Sequence, residues 1–290
     1  MIRDIGYLKI MKTGPGTSVQ DQGRVGFTNF GVPVSGGLDT RSLTWANHLL
    51  KNEVTDAVLE ICQPGLTIQF DSPTLICLAG ARTAIKLNGK LISSFGLLEI
   101  NSNDELKIGL FYEGSVLYLG IKNGFQSEMI MNSRSWYAGI TATDFAKKRD
   151  LIPYFTNQEI PTFTSSKVKW KLDWSSIQII DAYAGPEFKL LDKKSQEEIE
   201  SMQFTISDLK NRMAIQVVEL LQNGIPEMAT APVFPGTVQL TSGGKLIMLT
   251  KDCQVTGGYP RILQLTDQAL SVLAQKNAKD KIRFHLKELT

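Results

Sequence analysis

Short apolar segments separated by turn residues dominate the hydrophobic pattern of this chain. The segments are rich in β-branched and aromatic residues and are bounded by Gly, Pro, Asn or Asp, which is typical of β-strands. Asn88-Gly89 between two such segments favours a tight hairpin. This spacing predicts barrels or sandwiches rather than a parallel α/β sheet. The clearest predicted strands are residues 7–11, 66–70, 74–80, 115–121, 177–183, 237–240, 245–250 and 281–286.

Helical periodicity is limited to three segments. The first, residues 39–51, begins at Asp39, whose carboxylate can accept the unpaired backbone N–H groups of the first turn. Asn47 lies on its apolar face, and a buried amide must find hydrogen-bond partners. The apolar positions on that face are Leu43, Ala46 and Leu50. The other helices are expected at 192–202, which is charged and exposed, and at 266–276, with Leu270, Leu273 and Ala274 buried.

At about 150 residues per domain, these 290 residues predict one large or two modest domains, and a repeated pattern favours two related halves. Residues 7–21 and 177–192 both show a strand, then Gly-Pro, then an apolar segment that ends in Asp. The polar segment 144–171 lacks strong periodicity and is interpreted as the connection. We therefore place one half at 1–165 and the other at 166–290, and strands can be exchanged between the halves.

Composition narrows the classes of function. The net charge of +2 gives no general electrostatic reason to expect a nucleic acid or an anionic membrane as partner. We expect no signal peptide and no membrane span, because no apolar run has the necessary length. The cysteines, Cys62, Cys77 and Cys253, lack CxxC spacing, which argues against a disulfide framework and a zinc site. We expect a cytoplasmic protein without a metal.

The segment 13–39 is the first candidate for chemistry, because polar side chains are interleaved with many glycines. Glycine permits backbone conformations closed to other residues and lets the backbone approach a ligand. Arg24 offers a planar donor fork that suits a carboxylate or a phosphate. Asp21 could orient Arg24, bind a metal or act as a base. The alternative is a surface loop in which Asp21 and Arg24 only brace a turn.

The segment 250–262 is the second candidate. A predicted strand ends there and is followed by polar residues, a Gly-Gly pair and Tyr259-Pro260. Asp252 and Gln254 alternate along the strand end, so we expect them to point to one side. The alternative is a hairpin turn that carries polar side chains but binds no ligand. Ser242-Gly243-Gly244-Lys245 only partly matches a phosphate-binding loop and is predicted to be a hairpin turn.

These two segments resemble the signature of one known family. The first reads Val19-Gln20-Asp21-x-Gly23-Arg24-x-Gly26 and then Gly31-Val32-Pro33-x-Ser35-Gly36-x-x-Asp39. The second reads Asp252-x-Gln254-x-Thr256-Gly257-Gly258-Tyr259-Pro260, and Gly185-Pro186-Glu187, Arg212-Met213 and residues 235–239 also fit. They are similar to the KipA-like, or allophanate hydrolase subunit 2-like, carboxyltransferase family. That family includes the C subunit of 5-oxoprolinase and a segment of urea carboxylase.

The resemblance implies a mostly β fold of two cyclophilin-like β-barrel halves with a few short helices. It implies the C subunit of an ATP-dependent 5-oxoprolinase, which hydrolyses 5-oxo-L-proline to L-glutamate, and a chain that is inactive alone. The implied partners are a KipI-like subunit and a LamB/YcsF-like subunit, with a small amide as substrate. ATP is used by the complex, and the question of which of its chains binds ATP stays open.

The implied site residues are expected to line one cleft. Arg24 would hold the substrate carboxylate, and Asp21 or Asp252 would handle protons or orient a donor. Gly257 and Gly258 would present backbone N–H groups to a developing oxyanion. The remaining substrate-binding residues would be Gln20, Ser35, Gln254, Thr256 and Tyr259.

Two other functions remain open. One is a carboxyltransferase component that acts on urea or a related amide with carboxybiotin supplied by another chain. The other is a regulatory protein that binds a KipI-like kinase inhibitor. The middle of the chain departs from the family pattern at Asn132-Ser133-Arg134-Ser135-Trp136, which is followed by few glycines.

Overall fold

The computed structural model describes residues 4–62, 65–93, 96–157, 176–226 and 228–288. The chain divides into two compact units that interleave along the sequence. The first unit comprises Met1–Asp21, Ser42–Ile130 and Arg134–Ser176, and the second comprises Gln22–Arg41, Met131–Ser133 and Ile177–Thr290. The boundary expected between residues 165 and 166 lies outside the described residues.

The first unit is built on a nine-stranded sheet. Its strand path is β2-β3-β8-β4-β1-β9, and β5 pairs with β6, β7 and β8. The sheet curls as a half-barrel, in keeping with the predicted mostly β fold. Its strands are β1 (Ile5–Lys12), β2 (Thr17–Gln20), β3 (Val58–Ile61), β4 (Thr67–Phe70), β5 (Thr74–Leu87), β6 (Lys90–Ile92), β7 (Leu97–Ile100), β8 (Glu105–Ile121) and β9 (Leu151–Phe155).

Two local predictions for this unit are confirmed. Asn88-Gly89 forms the two-residue turn between β5 and β6, with φ of 50° and 77°. Helix α1 spans Thr40–Leu49, directly after Asp39. Its apolar face is buried, as predicted, with Leu43 and Ala46 at 0% exposure.

The buried amide of Asn47 finds its partners at the end of α1. Its Nδ2 donates to Asp56 O at 2.8 Å, and its Oδ1 accepts from Asn52 Nδ2 at 3.2 Å. Asn52 Nδ2 also donates to Ile121 O at 2.7 Å. These bonds fasten the end of the helix to the last residue of β8, because each buried polar group must be satisfied.

The second unit is a closed seven-stranded barrel with the order β10-β17-β14-β15-β12-β11-β18. Its first and last strands in sequence, β10 and β18, pair in parallel and complete the ring. A separate two-stranded sheet pairs β13 with β16. The strands are β10 (Ile179–Ala184), β11 (Phe204–Lys210), β12 (Ala214–Leu220), β13 (Ala231–Pro232), β14 (Thr237–Leu240), β15 (Lys245–Leu249), β16 (Thr256–Gly257), β17 (Arg261–Leu265) and β18 (Lys281–Leu286).

Apolar side chains at every second position of each strand fill the interior of the barrel. Each barrel strand contributes two buried apolar residues separated by one position, as expected where one face of a sheet is covered. None is more than 4% exposed. The pairs are Ile180/Ala182, Phe204/Ile206, Ile215/Val217, Val238/Leu240, Leu246/Met248, Leu263/Leu265 and Ile282/Phe284. The predicted hairpin turn at residues 242–244 joins β14 to β15.

Two helices accompany the barrel at the predicted places. Helix α2 spans Lys193–Ser201, and Asp192 caps it by accepting from Ser195 N at 2.7 Å. Helix α3 spans Asp267–Gln275 and is capped by the Thr266 side chain. Its residues 269–275 are all buried, so α3 is a core element rather than a surface helix.

Part of the segment interpreted as the connection, residues 144–171, belongs to the first sheet. Leu151–Phe155 forms β9, which pairs antiparallel with β1. Residues 158–171 lie outside the described residues. Where the structure describes the chain, no helix is long and apolar enough to cross a membrane.

A partly buried ion pair fastens β17 to the loop after β10. Arg261 donates through Nε and Nη2 to both oxygens of Glu187, at 3.0 and 2.9 Å. Its Nη1 donates to Pro232 O at 2.9 Å. The hydrogen bond from the Arg261 side chain lowers the pKa of Glu187, in opposition to burial. This clamp therefore stabilises the folded state most when the carboxylate is ionised.

We expect Glu187→Gln to lower the free energy of unfolding at neutral pH by about 1–3 kcal/mol, because it removes a charge-assisted bond. A carboxyl group whose pKa is lowered on folding stabilises above its unfolded pKa and loses that effect as pH falls through its folded pKa. The stability of the wild type should therefore fall more steeply than that of the variant below about pH 4.5. Urea unfolding between neutral and acidic pH measures both quantities.

Glu198→Gln is the matched control, because Glu198 makes a long ion pair of 3.7 Å with the exposed Lys194 on α2. It should change stability by less than about 0.5 kcal/mol. Equal effects of the two substitutions would contradict a specific role for the Glu187 clamp.

Candidate functional site

The front loop, residues 22–39, folds onto the barrel of the second unit. Ser35 N donates to Lys251 O at 2.9 Å. Arg212 Nη2 donates to Gly36 O at 2.7 Å. The two glycine-rich segments singled out in the sequence therefore meet at Ser35-Gly36 and Lys251-Asp252.

Arg212 and Asp252 form a bidentate pair at this meeting point. Arg212 Nε donates to Asp252 Oδ2 at 2.7 Å, and Arg212 Nη2 donates to Oδ1 at 2.9 Å. The backbone repeats the link, since Asp252 N donates to Arg212 O at 2.8 Å. Both residues are less than a tenth exposed. The geometry thus favours Asp252 as an orienting group, because the guanidinium engages both of its oxygens.

Asp252 and Gln254 do not share one side of a strand, contrary to expectation. Strand β15 ends at Leu249, and Cys253 N donates to Thr250 O at 3.1 Å, which closes a turn. Strand alternation does not apply inside a turn. Asp252 is consequently buried against Arg212, while Gln254 is exposed.

The front loop is closed by a backbone hydrogen bond between Arg24 and Val34, which we call its neck. The residues between them form its exposed tip. Arg24 N donates to Val34 O at 2.6 Å across the neck. A Cβ at Gly23 would lie 2.5 Å from Val34 O, so only glycine fits at that position. The Arg24 side chain is fully buried, whereas Val25 and Phe30 are 77% and 80% exposed at the tip. The assignment of Arg24 to a substrate carboxylate stays a prediction.

The Gly257-Gly258 turn, in segment 250–262, packs against the side chain of Gln239. A Cβ at Gly257 would lie 2.6 Å from Gln239 Nε2, so this glycine permits close packing. Gln239 Nε2 also donates to Tyr259 O at 3.3 Å. The side of this turn that faces solvent carries Gln254, Thr256 and Tyr259, which are exposed.

In the part of the chain that the structure describes, residues 254–259 make no hydrogen bond to the front loop. The second unit therefore brings Ser35 together with Asp252. It does not tie Gln254, Thr256, Gly257, Gly258 or Tyr259 to them by such bonds.

Gln20 and Asp21 belong to the first unit and contact the divergent middle segment. Asp21 Oδ2 accepts from Arg134 N at 2.5 Å, and Oδ1 accepts from Ser135 Oγ at 2.6 Å. Asp21 N donates back to Ser135 Oγ at 3.0 Å. Gln20 Nε2 donates to Trp136 O at 3.2 Å. These bonds favour a bracing or orienting role for Asp21 over that of a free base.

Sequence reasoning missed three residues that hold these groups in place. Arg212 and Gln239 stand in motifs that fit the family pattern, but a local motif does not name a partner elsewhere in the chain. Ser135 stands in segment 132–136, which departs from the family pattern and carries no local sign of its partner Asp21. Its neighbour Arg134 is also fixed, since it donates to Ser127 O and Gln126 Oε1.

The buried thiols of Cys77 and Cys253 are poor nucleophiles. Burial raises the pKa of Cys253, next to Asp252, to about 12, and it raises the pKa of Cys77 to about 12. A thiol with such a pKa is almost fully protonated at neutral pH. Among the residues that the structure describes, no group of three or more His, Cys, Asp or Glu could hold a metal ion.

We expect Ser135→Ala to lower the free energy of unfolding by about 1–3 kcal/mol, because it leaves the buried Asp21 N–H and one carboxylate oxygen without the Ser135 hydroxyl. Urea unfolding of both proteins measures the change. Thr55→Ala, which removes the hydroxyl of an exposed threonine of the same unit, is the control and should shift stability by at most about 0.5 kcal/mol. A loss at Ser135 no larger than that of the control would refute the bracing role.

Comparison with known proteins places the chain in one family. Residues 30–286 match the carboxyltransferase domain, subdomain A and B. The C subunit of the 5-oxoprolinase from Escherichia coli (strain K12) is 30% identical over 96% of this chain and 90% of its own length. The urea amidolyase of Lachancea kluyveri is 26% identical over 94% of this chain but only 16% of its own length.

A solved structure shows the same fold. The crystal structure of the Kluyveromyces lactis urea amidolyase superposes with a TM-score of 0.85 over 97% of this chain and 19% of that chain, at 22% identity. Together with the half-barrel, the closed barrel and the two glycine-rich segments, the match over residues 30–286 shows that the chain belongs to the family of carboxyltransferase domains with subdomains A and B.

Proposed function

We propose that this chain is the C subunit of an ATP-dependent 5-oxoprolinase complex that hydrolyses 5-oxo-L-proline to L-glutamate. The observation that carries the proposal is the similarity to the corresponding E. coli 5-oxoprolinase chain, which extends over 96% of this chain and 90% of the relative. The match thus covers almost all of both sequences and is not limited to one shared segment.

The geometry of the second unit supports an amide substrate. The carbonyl carbon of a cyclic amide is a weak electrophile, so its oxygen must be polarised before a nucleophile adds. Donors held on rigid turns suit that task, because they cost little reorganisation when charge develops. The turn at Ser35-Gly36 is rigid in this sense, since Lys251 and Arg212 bind it from two directions.

The complex is proposed to contain a KipI-like subunit and a LamB/YcsF-like subunit as well, and this chain to be inactive alone. The sequence segment most like a phosphate-binding loop, residues 242–245, is a hairpin turn between β14 and β15. Such a turn lacks the helix N-terminus that binds phosphate in those loops. The residues of this segment therefore do not fit ATP, and no step of the proposal passes through them.

A second candidate is a biotin-dependent carboxyltransferase component that acts on urea or a related amide. The similarity to the Lachancea kluyveri urea amidolyase favours it, although the chain spans only 16% of that protein. Urea and 5-oxoproline share an amide-type carbonyl, so the same donors suit both. Incubation of the protein with urea, bicarbonate, ATP, a biotinylated carrier and a biotin carboxylase that carboxylates the carrier, followed by product analysis, separates the two functions.

We expect Arg24→Ala to abolish ATP-coupled turnover of 5-oxo-L-proline by the complex reconstituted with the KipI-like and LamB/YcsF-like subunits, because the proposed cation for the substrate carboxylate is lost. Glutamate release measures the rate. Arg24→Lys, which keeps the charge but not the planar fork, should retain a small part of the activity.

Arg283→Ala, at an exposed arginine of β18, is the control and should leave turnover unchanged. Thermal unfolding of each variant separates a loss of folding from a loss of function. Normal turnover by a folded Arg24→Ala complex would refute the role of Arg24, and an inactive wild-type complex would refute the proposed function.

A further inference from the structure

The turn at Ser35-Gly36 is strained and is held from both sides. Ser35 has φ of 57° and Gly36 has φ of 89°, and a positive φ is costly for a residue with a side chain. Ser35 N is bound by Lys251 O, and Gly36 O is bound by Arg212 Nη2. A strained backbone conformation persists only where its surroundings over-determine it, and such residues cluster at functional sites.

Some polar groups of this turn make no hydrogen bond to the described part of the protein, among them Ser35 Oγ and the Gly37 amide. Ser35 Oγ is fully buried and has no hydrogen-bond partner among the described residues. The amide of Gly37 is buried and makes no hydrogen bond in the same part of the chain. Because the peptide bond is trans, the Gly37 N–H points away from the Gly36 carbonyl and hence away from Arg212.

A buried donor without a hydrogen-bond partner lowers the stability of the folded state, so its presence needs an explanation. Successive backbone N–H groups at residues with positive φ form concave sites that attract oxygen atoms carrying negative charge. A serine hydroxyl at the same turn adds a second kind of donor. The shared chemistry is therefore that of an oxygen acceptor, such as an amide carbonyl that becomes an oxyanion.

We propose that the Ser35–Gly37 turn binds the carbonyl oxygen of the amide substrate, and that Arg212 is its positioning residue. The inference rests on the proposed function and moves the oxyanion donors from Gly257 and Gly258 to Ser35 and Gly37. Arg212 does not contact the substrate itself, because its guanidinium binds the Asp252 carboxylate and the Gly36 carbonyl. These bonds fix the direction of the Gly37 N–H before the substrate binds.

The first test replaces Ser35 in the complex reconstituted with the KipI-like and LamB/YcsF-like subunits. Ser35→Ala removes the hydroxyl, and we expect kcat for 5-oxo-L-proline to fall by about 10²-fold with KM changed much less, because the bond strengthens as charge develops. Ser35→Gly relieves the positive φ and removes the same hydroxyl, so its kcat should fall similarly while its thermal stability does not. Ser201→Ala, an exposed serine of α2, should leave kcat unchanged.

The second test replaces Arg212. Arg212→Lys cannot hold a carboxylate and a carbonyl with one planar fork, and Arg212→Ala removes the group altogether. We expect both to lower kcat more than they raise KM, and added guanidinium ion to restore part of the activity of Arg212→Ala. Hydrogen exchange of the amides at residues 35–37 should become faster in Arg212→Ala and slower again with guanidinium.

The outcomes separate the inference from the proposed function. If the wild-type complex turns over 5-oxo-L-proline and Ser35→Ala keeps its kcat within about twofold, the inference fails and the function stands. Arg212→Ala with faster exchange but normal kcat reduces Arg212 to a structural ion pair and overturns its positioning role. A wild type that carboxylates urea instead refutes the proposed function, and the same variants then decide the inference in that assay. A wild type that is inactive in both assays refutes both.

Discussion

The guanidinium of Arg212 imposes the constraint on which the arrangement of the second unit depends. One buried side chain binds the carboxylate of Asp252, 40 residues away, and the carbonyl of Gly36, 176 residues away. A buried arginine is tolerated only when its charge is paired and its N–H groups are bonded. The front loop and the turn after β15 must therefore meet at this point, since either one alone would leave the cation incompletely satisfied.

The closed barrel provides a rigid support for the groups that bind the Ser35-Gly36 turn. Its strands are locked by alternating apolar residues, and the Glu187–Arg261 clamp holds the loop after β10 against β17. Strain at Ser35 can be sustained only because the groups that bind it are attached to this rigid support. Flexible support would let the turn relax, and donors that relax no longer favour the transition state over the ground state.

The segment that departs from the family pattern, in the middle of the chain, has a structural role in the folded protein. Arg134 and Ser135, which lie inside that segment, are the residues that bind Asp21 of the first glycine-rich motif. Few glycines follow this segment, but the contact to Asp21 is made by Arg134 and Ser135 themselves. The divergence is thus compatible with an intact bracing of Asp21.

The sequence by itself determined the mostly β class, many of the strands, the three helices with their buried faces, and the two segments that carry the polar groups. Those features follow from local rules: alternation in strands, stripes on α1 and α3, and the turn residues of Asn88-Gly89. Only the tertiary structure decided that the first sheet curls as a half-barrel, that Asp252 turns inward to Arg212 while Gln254 faces solvent, and that Asp21 is held by Ser135, 114 residues away. Such pairings depend on which loops the sheets bring together, and no local pattern of residues encodes that distance.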